Sequence, residues 1–419
     1  MTKPIEIITL GCRLNAVESE AMRRLGEDVH LDDTIVVNTC AVTNEAARQS
    51  RQHIRRLRRN RPDARIIATG CAAQIDPQQF ADMDEVDFVI GNAEKLAPAT
   101  WSTLSADTQA PISVNDIMSV RENAGHMIDG YGERSRAFLQ VQNGCDHRCT
   151  FCIIPFGRGN ARSTPIDVLI DQAKRLIDNG YAEIVLTGVD ITSYGNDLSD
   201  QPSLGDLVDR LLDAAPGLRS LRLSSIDGAE IDEKLFAHIT EDTRVAPYLH
   251  LSVQAGDDLI LKRMKRRHSR WDIIKLCDRI RAKRPNVAFG ADLIAGFPTE
   301  TEAMFDNTVR IIDDAGLQYC HIFPFSPKGG TPAARMPQLD RQLVKKRAAT
   351  LREKATVALS TFLQSLVGGS YDAVVESGGR ARLGNFALVN LAVSDADAGD
   401  WVQVRVRERD GLRLSASVI

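Results

Sequence analysis

This chain predicts an α/β fold in three parts: an N-terminal open parallel α/β domain, a central (βα)6 partial barrel and a small C-terminal all-β module. Three observations carry the prediction. Apolar runs alternate with helical patterns through roughly the first hundred residues, the alternation resumes at Arg136, and helical patterning stops at Gly368-Gly369. With 419 residues, 43% of them hydrophobic, the chain can bury two or three cores.

Taken in order, Ile5 to Leu10, Thr34 to Val37 and Arg65 to Ala68 are apolar runs, each followed by a turn and a helical pattern. That repetition reads as βαβ units on a parallel sheet. Residues Pro98 to Glu133 show less pattern and read as an interdomain connection. Six further strands are expected at Ala137 to Gln142, Glu183 to Thr187, Leu221 to Ser225, Tyr248 to Val253, Val287 to Leu293 and Tyr319 to Pro324. Helical patterns such as Ile166 to Asn179 and Thr301 to Ala315 lie between them, and six units fall short of the eight that close a full barrel. A long helix is expected from Arg341 to Leu366, then strands at Tyr371 to Glu376, Phe386 to Val393 and Trp401 to Arg407. The expected boundaries are 1–105 for the first domain, 106–130 for a linker, 131–362 for the barrel with its terminal helix, and 363–419 for the β module.

Composition narrows the function. The N-terminus has no basic stretch leading into an apolar run, and no apolar segment reaches membrane length, so a soluble cytoplasmic protein without membrane association is expected. A net charge of -4 supplies no general attraction to nucleic acid, so any such binding must be local. Eight cysteines would make a thin disulfide framework, and their grouping suggests ligands in a reducing compartment. Cys277 and Cys320 fall in a helical and a strand pattern and read as ordinary buried residues.

The other six form two triplets. Cys145, Cys149 and Cys152 stand in a CxxxCxxC spacing directly after an apolar strand. Three thiolates can hold an iron-sulfur cubane while leaving one iron open to another ligand. Zinc is the competing occupant, with His147 inside the loop as the available fourth ligand. The second triplet follows the first three strands: Gly11-Cys12, Asn38-Thr39-Cys40 and Thr69-Gly70-Cys71. Ligands of open α/β sheets bind outside the carboxyl strand ends, so these residues should gather at one edge as a metal or cluster site. The competing reading is three small buried residues, since widely separated cysteines carry little specificity.

These segments resemble a known family. CxxxCxxC is the signature of the radical S-adenosyl-L-methionine (SAM) superfamily. Thr9-Leu10-Gly11-Cys12-Arg13-Leu14-Asn15, Asn38-Thr39-Cys40-Ala41-Val42-Thr43 and Gly70-Cys71-Ala72-Ala73-Gln74 resemble the cysteine motifs of the methylthiotransferase N-terminal domain. Arg158-Gly159, Leu186-Thr187-Gly188 and Gly296-Phe297-Pro298-Thr299-Glu300-Thr301 continue the match. The local likeness is to the enzymes acting on threonylcarbamoyladenosine in tRNA, through the TLGCRLN opening, the NTCAVTNEA segment, Pro324 to Pro327 and Gly330 to Arg335. Thr299 departs from the family's usual Gly, and Ser252 to Gly256 from its PLQSG-like run.

The resemblance implies a partial TIM barrel of radical SAM type and a TRAM-like C-terminal module. It implies two 4Fe-4S clusters, a reductive one on Cys145, Cys149 and Cys152 and an auxiliary one on Cys12, Cys40 and Cys71, with no catalytic residue beyond these ligands. Thr187 and Gly188 resemble the segment that meets the SAM amino group, and Ser224, Gln254 and Asp292 are further candidates for SAM contacts near strand ends. Phe325 is a candidate for adenine contact, with an apolar core role as its competitor.

The implied reaction inserts a methylthio group at C2 of N6-threonylcarbamoyladenosine beside the tRNA anticodon. The alternatives are isopentenyladenosine in tRNA, an aspartate of a ribosomal protein, or a nonenzymatic cluster scaffold. Expected partners are the tRNA substrate and a reductant protein such as a flavodoxin, with the chain a monomer and the sulfur donor unidentified. Arg48, Arg51, Arg55, Arg56, Arg58, Arg59, Arg61 and Arg65 form one basic run, and Lys262, Arg263, Lys265, Arg266, Arg267 and Arg270 a second. Both are candidates for phosphate contact or for solvated helix faces. In the C-terminal module six arginines face seven acidic side chains, so composition gives it no excess positive charge.

Overall fold

A computed structural model describes residues 3–106, 111–121, 130, 135–392 and 395–419. Parts of the expected 106–130 linker, and Val393 of an expected strand, lie outside the described residues. The chain divides into two compact units.

The first unit comprises residues 1–128, 142–164 and 326–331. Its sheet has five parallel strands in sequence order: Glu6–Thr9, Thr34–Thr39, Arg65–Gly70, Phe88–Ile90 and Ile112–Ser113. Successive side chains of a strand point to opposite faces, and both faces are buried here. Ile35, Val37, Ile66 and Ala68 pack with Ile54 and Phe80 on one side. Val36, Ile67 and Ile90 pack with Met22, Trp101 and Leu104 on the other. The stretch expected as a connection thus supplies the helix Pro98–Ser105 and an edge strand of two residues.

Helix Asn44–Asn60 begins where the Thr43 side chain accepts the Ala46 N–H at 3.0 Å. The segment 326–331 folds with this unit, where Asn44 Nδ2 donates to the Pro327 carbonyl at 3.0 Å.

The second unit holds residues 129–141, 165–325 and 332–419. Its barrel strands are Ala137–Gln140, Glu183–Thr187, Ser220–Leu223, Tyr248–Gln254, Ala288–Ala295 and Tyr319–Pro324, and their pairings are parallel. Ser224 breaks the third strand, whose continuation Ser225–Ile226 pairs with Tyr248–Gln254. Helix Arg341–Ser365 then leads into a closed barrel of five strands. Two of those strands, Arg380–Leu383 and Arg413–Val418, had no expectation from sequence. Among the described residues no helix is long and apolar enough to cross a membrane.

Candidate metal centre

Register explains how three distant cysteines meet. Thr9 pairs with Asn38 and Thr39 with Gly70, so the turns after these neighbouring strands emerge on the same sheet edge. Cys12 begins helix Arg13–Asp28 as its N-cap, and Cys71 opens helix Cys71–Ile75. Gly11 holds φ at +94°, and a Cβ there would stand 2.9 Å from Cys40 Sγ. Only glycine combines that conformation with that approach. Burial raises the Cys40 thiol, and charge on Cys71 and Cys12 raises it further, as expected of thiols that share a small space. All three are free cysteines.

The other triplet lies on a loop folded by its own backbone. Strand Gln142–Asn143 pairs with Arg162–Ser163, and between them the Cys145 N–H donates to the Gly159 carbonyl at 3.1 Å. Gly144 has φ at +72°, with the Asn160 carbonyl 1.8 Å from where a Cβ would be. Cys152 N–H donates to Cys149 O at 3.1 Å, and Arg148 donates to Cys145 O at 2.6 Å and to Asn160 Oδ1 at 2.7 Å.

Helix Ile154–Arg158 follows and comes against Cys71, where a Cβ on Gly157 would meet Cys71 Cβ at 3.2 Å. Both triplets therefore belong to the first unit. Among the described residues, no trio of metal-ligating groups within 4.8 Å of one another includes a cysteine. Tetrahedral zinc, with Zn–S near ~2.3 Å, would draw its thiolates closer than that. Wider spacing suits a cubane, whose ligands sit on separate irons.

Behind the second triplet lies a buried polar group that sequence reading missed. Arg158 donates Nε to Cys71 Sγ at 3.1 Å and its two Nη groups to Glu18 and Asn15. Lys95 Nζ donates to Glu18 Oε2 at 2.7 Å, Asn92 Oδ1 at 2.6 Å and Asn38 Oδ1 at 3.3 Å. Burial alone would raise the Glu18 carboxyl, but Arg158 and Lys95 outweigh it and hold the group at about 2. Asn15 Nδ2 donates to Leu10 O at 2.7 Å and Thr39 O at 3.1 Å, fixing the chain just before Cys12 and Cys40.

In the second unit, Thr187 ends its strand, and its carbonyl accepts the Val141 N–H at 2.9 Å. Gly188 follows. The Ser224 N–H reaches Leu186 O at 3.0 Å. Gln254 closes its strand with φ at +68° beside a register shift. These four residues share the carboxyl ends of the strands, where an α/β barrel binds ligands.

Asp292, next to the Leu293 that pairs with Gln254, is engaged by two imidazoles. Its Oδ1 lies 2.9 Å from His250 Nε2 and 3.1 Å from His321 Nδ1, and His250 Nδ1 lies 2.9 Å from the Tyr248 hydroxyl. Burial would raise the Asp292 carboxyl, yet the two imidazoles hold it well below the usual carboxylate range. His250 and His321 escaped notice because a single histidine in a strand carries no motif. Phe325 packs edge-on against Phe297 at 5.5 Å, which favours its apolar role. Burial pushes the Cys277 and Cys320 thiols up to about 12; Cys277 is buried as expected, whereas Cys320 is only partly so.

Part of each basic run is engaged inside the fold, while Arg56, Arg59, Lys262 and Lys265 are exposed. Arg58 binds Asp87 at 2.6 Å and three carbonyls, Arg61 pairs with Glu6 at 3.1 Å, and Arg65 donates to Leu104 O at 2.8 Å. Arg266 holds Asp227 at 2.8 Å and Ser252 O at 2.9 Å, Arg267 holds Glu230 at 2.6 Å, and Arg270 caps the Gly256 and Asn307 carbonyls. Arg48 and Arg55, each about half exposed and paired only at the surface, keep the capacity to face phosphate.

Comparison with known proteins agrees with this geometry. The radical SAM superfamily matches residues 139–312, and the uncharacterized protein family UPF0004 matches residues 4–91. A threonylcarbamoyladenosine tRNA methylthiotransferase MtaB of Rickettsia prowazekii is 50% identical, covering 92% of this chain and 91% of its own. The protein of the same name from Bacillus subtilis is 34% identical over 87% of this chain and 82% of its own. Among solved structures, the radical S-adenosylmethionine methyltransferase TsrM of Kitasatospora setae matches with a TM-score of 0.56 at 14% identity, covering 79% of this chain and 77% of that one. That last likeness speaks for fold alone. With half its residues shared along nearly its whole length, the chain belongs to the threonylcarbamoyladenosine tRNA methylthiotransferase family of radical SAM proteins.

Proposed function

We infer that this protein inserts a methylthio group at C2 of N6-threonylcarbamoyladenosine in tRNA. One observation carries the reading: two sets of three cysteines lie in a single compact unit, each set short of the four ligands that would close a cubane. When bound, the two 4Fe-4S clusters and SAM supply the electron, the radical, the methyl group and the sulfur, chemistry that an inert aromatic C–H demands and side chains cannot provide.

The chain's own residues do the holding. Cys145, Cys149 and Cys152 hold the reductive cluster, and Cys12, Cys40 and Cys71 the auxiliary one. Thr187, Gly188, Ser224, Gln254 and Asp292 would contact SAM near the strand ends, with Asp292 oriented by His250 and His321. A tRNA substrate places this work in the cytoplasm. A flavodoxin-type protein delivers the electron, and the enzyme acts as a monomer.

Mass spectrometry of tRNA nucleosides from cells lacking this protein tests the reading. Loss of 2-methylthio-threonylcarbamoyladenosine, with accumulation of its unthiolated precursor, is expected. Persistence of the modified nucleoside, with no other enzyme able to form it, would refute the substrate.

A further inference from the structure

We propose that Arg158, together with Lys95 and Asn92, is a positioning residue that sets the reduction potential of the cluster held by Cys12, Cys40 and Cys71. The proposal rests on the reading that this triplet holds a cluster.

The geometry around Cys71 is directional. Arg158 Nε donates to its sulfur at 3.1 Å, and Asn92 Nδ2 stands 3.9 Å from the same sulfur while donating to Gly157 O at 2.5 Å. Hydrogen bonds to cluster sulfurs, together with local charge, are what tune iron-sulfur potentials. Each N–H aimed at a thiolate stabilises the state with more negative charge on sulfur, so each raises the potential.

Charge acts in the same sense. Arg158 is 2% exposed, and Lys95 and Glu18 are fully buried. One carboxylate thus lies between two cations, which leaves one positive charge uncompensated in the interior. Such an excess is costly unless something negative faces it. Arg158 points its remaining edge at Cys71, and a cubane on three thiolates carries the net negative charge that completes the balance.

Connectivity adds a second consequence. Arg158 ends the helix that directly follows Cys152, so the loop holding one triplet supplies a donor to the other. Through Asn15, the same guanidinium is tied to the chain before Cys12 and Cys40. Glu18, which lies farther from the sulfur, neutralises part of that positive charge.

The test is redox titration of the reconstituted full chain, following the auxiliary cluster by its electron paramagnetic resonance signal. A variant with Ala at Cys145, Cys149 and Cys152 identifies which signal belongs to it. Arg158→Gln should shift the midpoint to a more negative potential, Arg158→Lys by less, and Glu18→Gln to a more positive one. Opposite shifts from removing opposite charges are not what a merely structural role produces. Unchanged midpoints, or shifts of the same sign for Arg158→Gln and Glu18→Gln, would overturn the proposal. If Arg158→Gln lost the auxiliary iron, Arg158→Lys and Glu18→Gln would decide, and unchanged midpoints in both would overturn the proposal. Iron content judges the underlying reading separately: about eight irons are expected in the wild type, and about four would sink the second cluster itself.

Discussion

The Tyr248 and Phe386 rings stack with centroids 4.5 Å apart and planes 14° from parallel, joining the first residue of a barrel strand to the C-terminal β module. Tyr319 meets both rings edge-on, at 5.5 and 5.7 Å. Arg222 adds to the contact by binding Glu183 at 2.8 Å and the Gly384 carbonyl at 2.9 Å. The module is therefore seated on the amino ends of the strands, opposite the rim of Thr187 and Gln254. The turn Gly384-Asn385-Phe386 is thereby occupied in this packing.

Phe386→Ala should loosen that seat. Removing a large aromatic from such a stack costs roughly 2–4 kcal/mol. Limited proteolysis should cut near Gly368-Gly369 in the variant under conditions that spare the wild type, while iron content stays unchanged. Equal resistance in both proteins would show that the stack contributes little.

Thr299 occupies the left-handed region with φ at +67°, a conformation that β-branched residues rarely adopt. The departure from the family's glycine thus falls where glycine would be relaxed. Left-handed backbone costs about 1–2 kcal/mol for a residue with a Cβ, and glycine returns part of that through unfolded-state entropy. Thr299→Gly should raise stability by about 0.5–1 kcal/mol, read as a higher thermal midpoint. A lower midpoint would mean that contacts of the Thr299 side chain outweigh the strain.

The legible parts of the sequence were those with a short period or a fixed spacing. CxxxCxxC and the three strand-end cysteines announced themselves, as did apolar strands whose unbroken runs reflect a sheet buried on both faces. Ile112–Ser113 was too short to show any period. Glu18 sits in Glu18-Ser19-Glu20 and reads as a solvated helix face. Its burial makes sense only with Arg158, 140 residues away, and Lys95, 77 away. Likewise the arginine-rich helix read as either a phosphate surface or a solvated face, and the internal role of Arg58, which binds three carbonyls, leaves no trace in composition.

A pH dependence follows from Glu300. Its Oε2 accepts the Gly296 N–H at 3.0 Å and Arg347 Nη1 at 2.9 Å, yet burial outweighs Arg347 and lifts the carboxyl from 4.5 to about 7. A folded-state value above the unfolded one gives stability that is complete below pH 4.5 and is lost as pH rises through about 7. Denaturant stability of the wild type should therefore decline across that window, by something on the order of 3 kcal/mol from this group. In Glu300→Gln the component should vanish, with Arg347 still held by Glu302 at 2.8 Å. A variant whose profile parallels the wild type would place the titration elsewhere.

Gly11→Ala tests whether the three strand-end cysteines need their close approach. At φ of +94° an alanine is strained, and its Cβ would stand 2.7 Å from Cys40 Cβ and 2.9 Å from Cys40 Sγ, so Cys40 must move. The sheet beneath does not depend on that atom: Ile35, Val36 and Val37 are fully buried on its two faces. The variant should therefore fold and keep the iron on Cys145, Cys149 and Cys152, holding about four irons rather than about eight. It should still cleave SAM reductively and fail to thiolate tRNA. Full iron content with normal thiolation would show that Cys40 can retreat without leaving the site, and that the glycine serves only the turn.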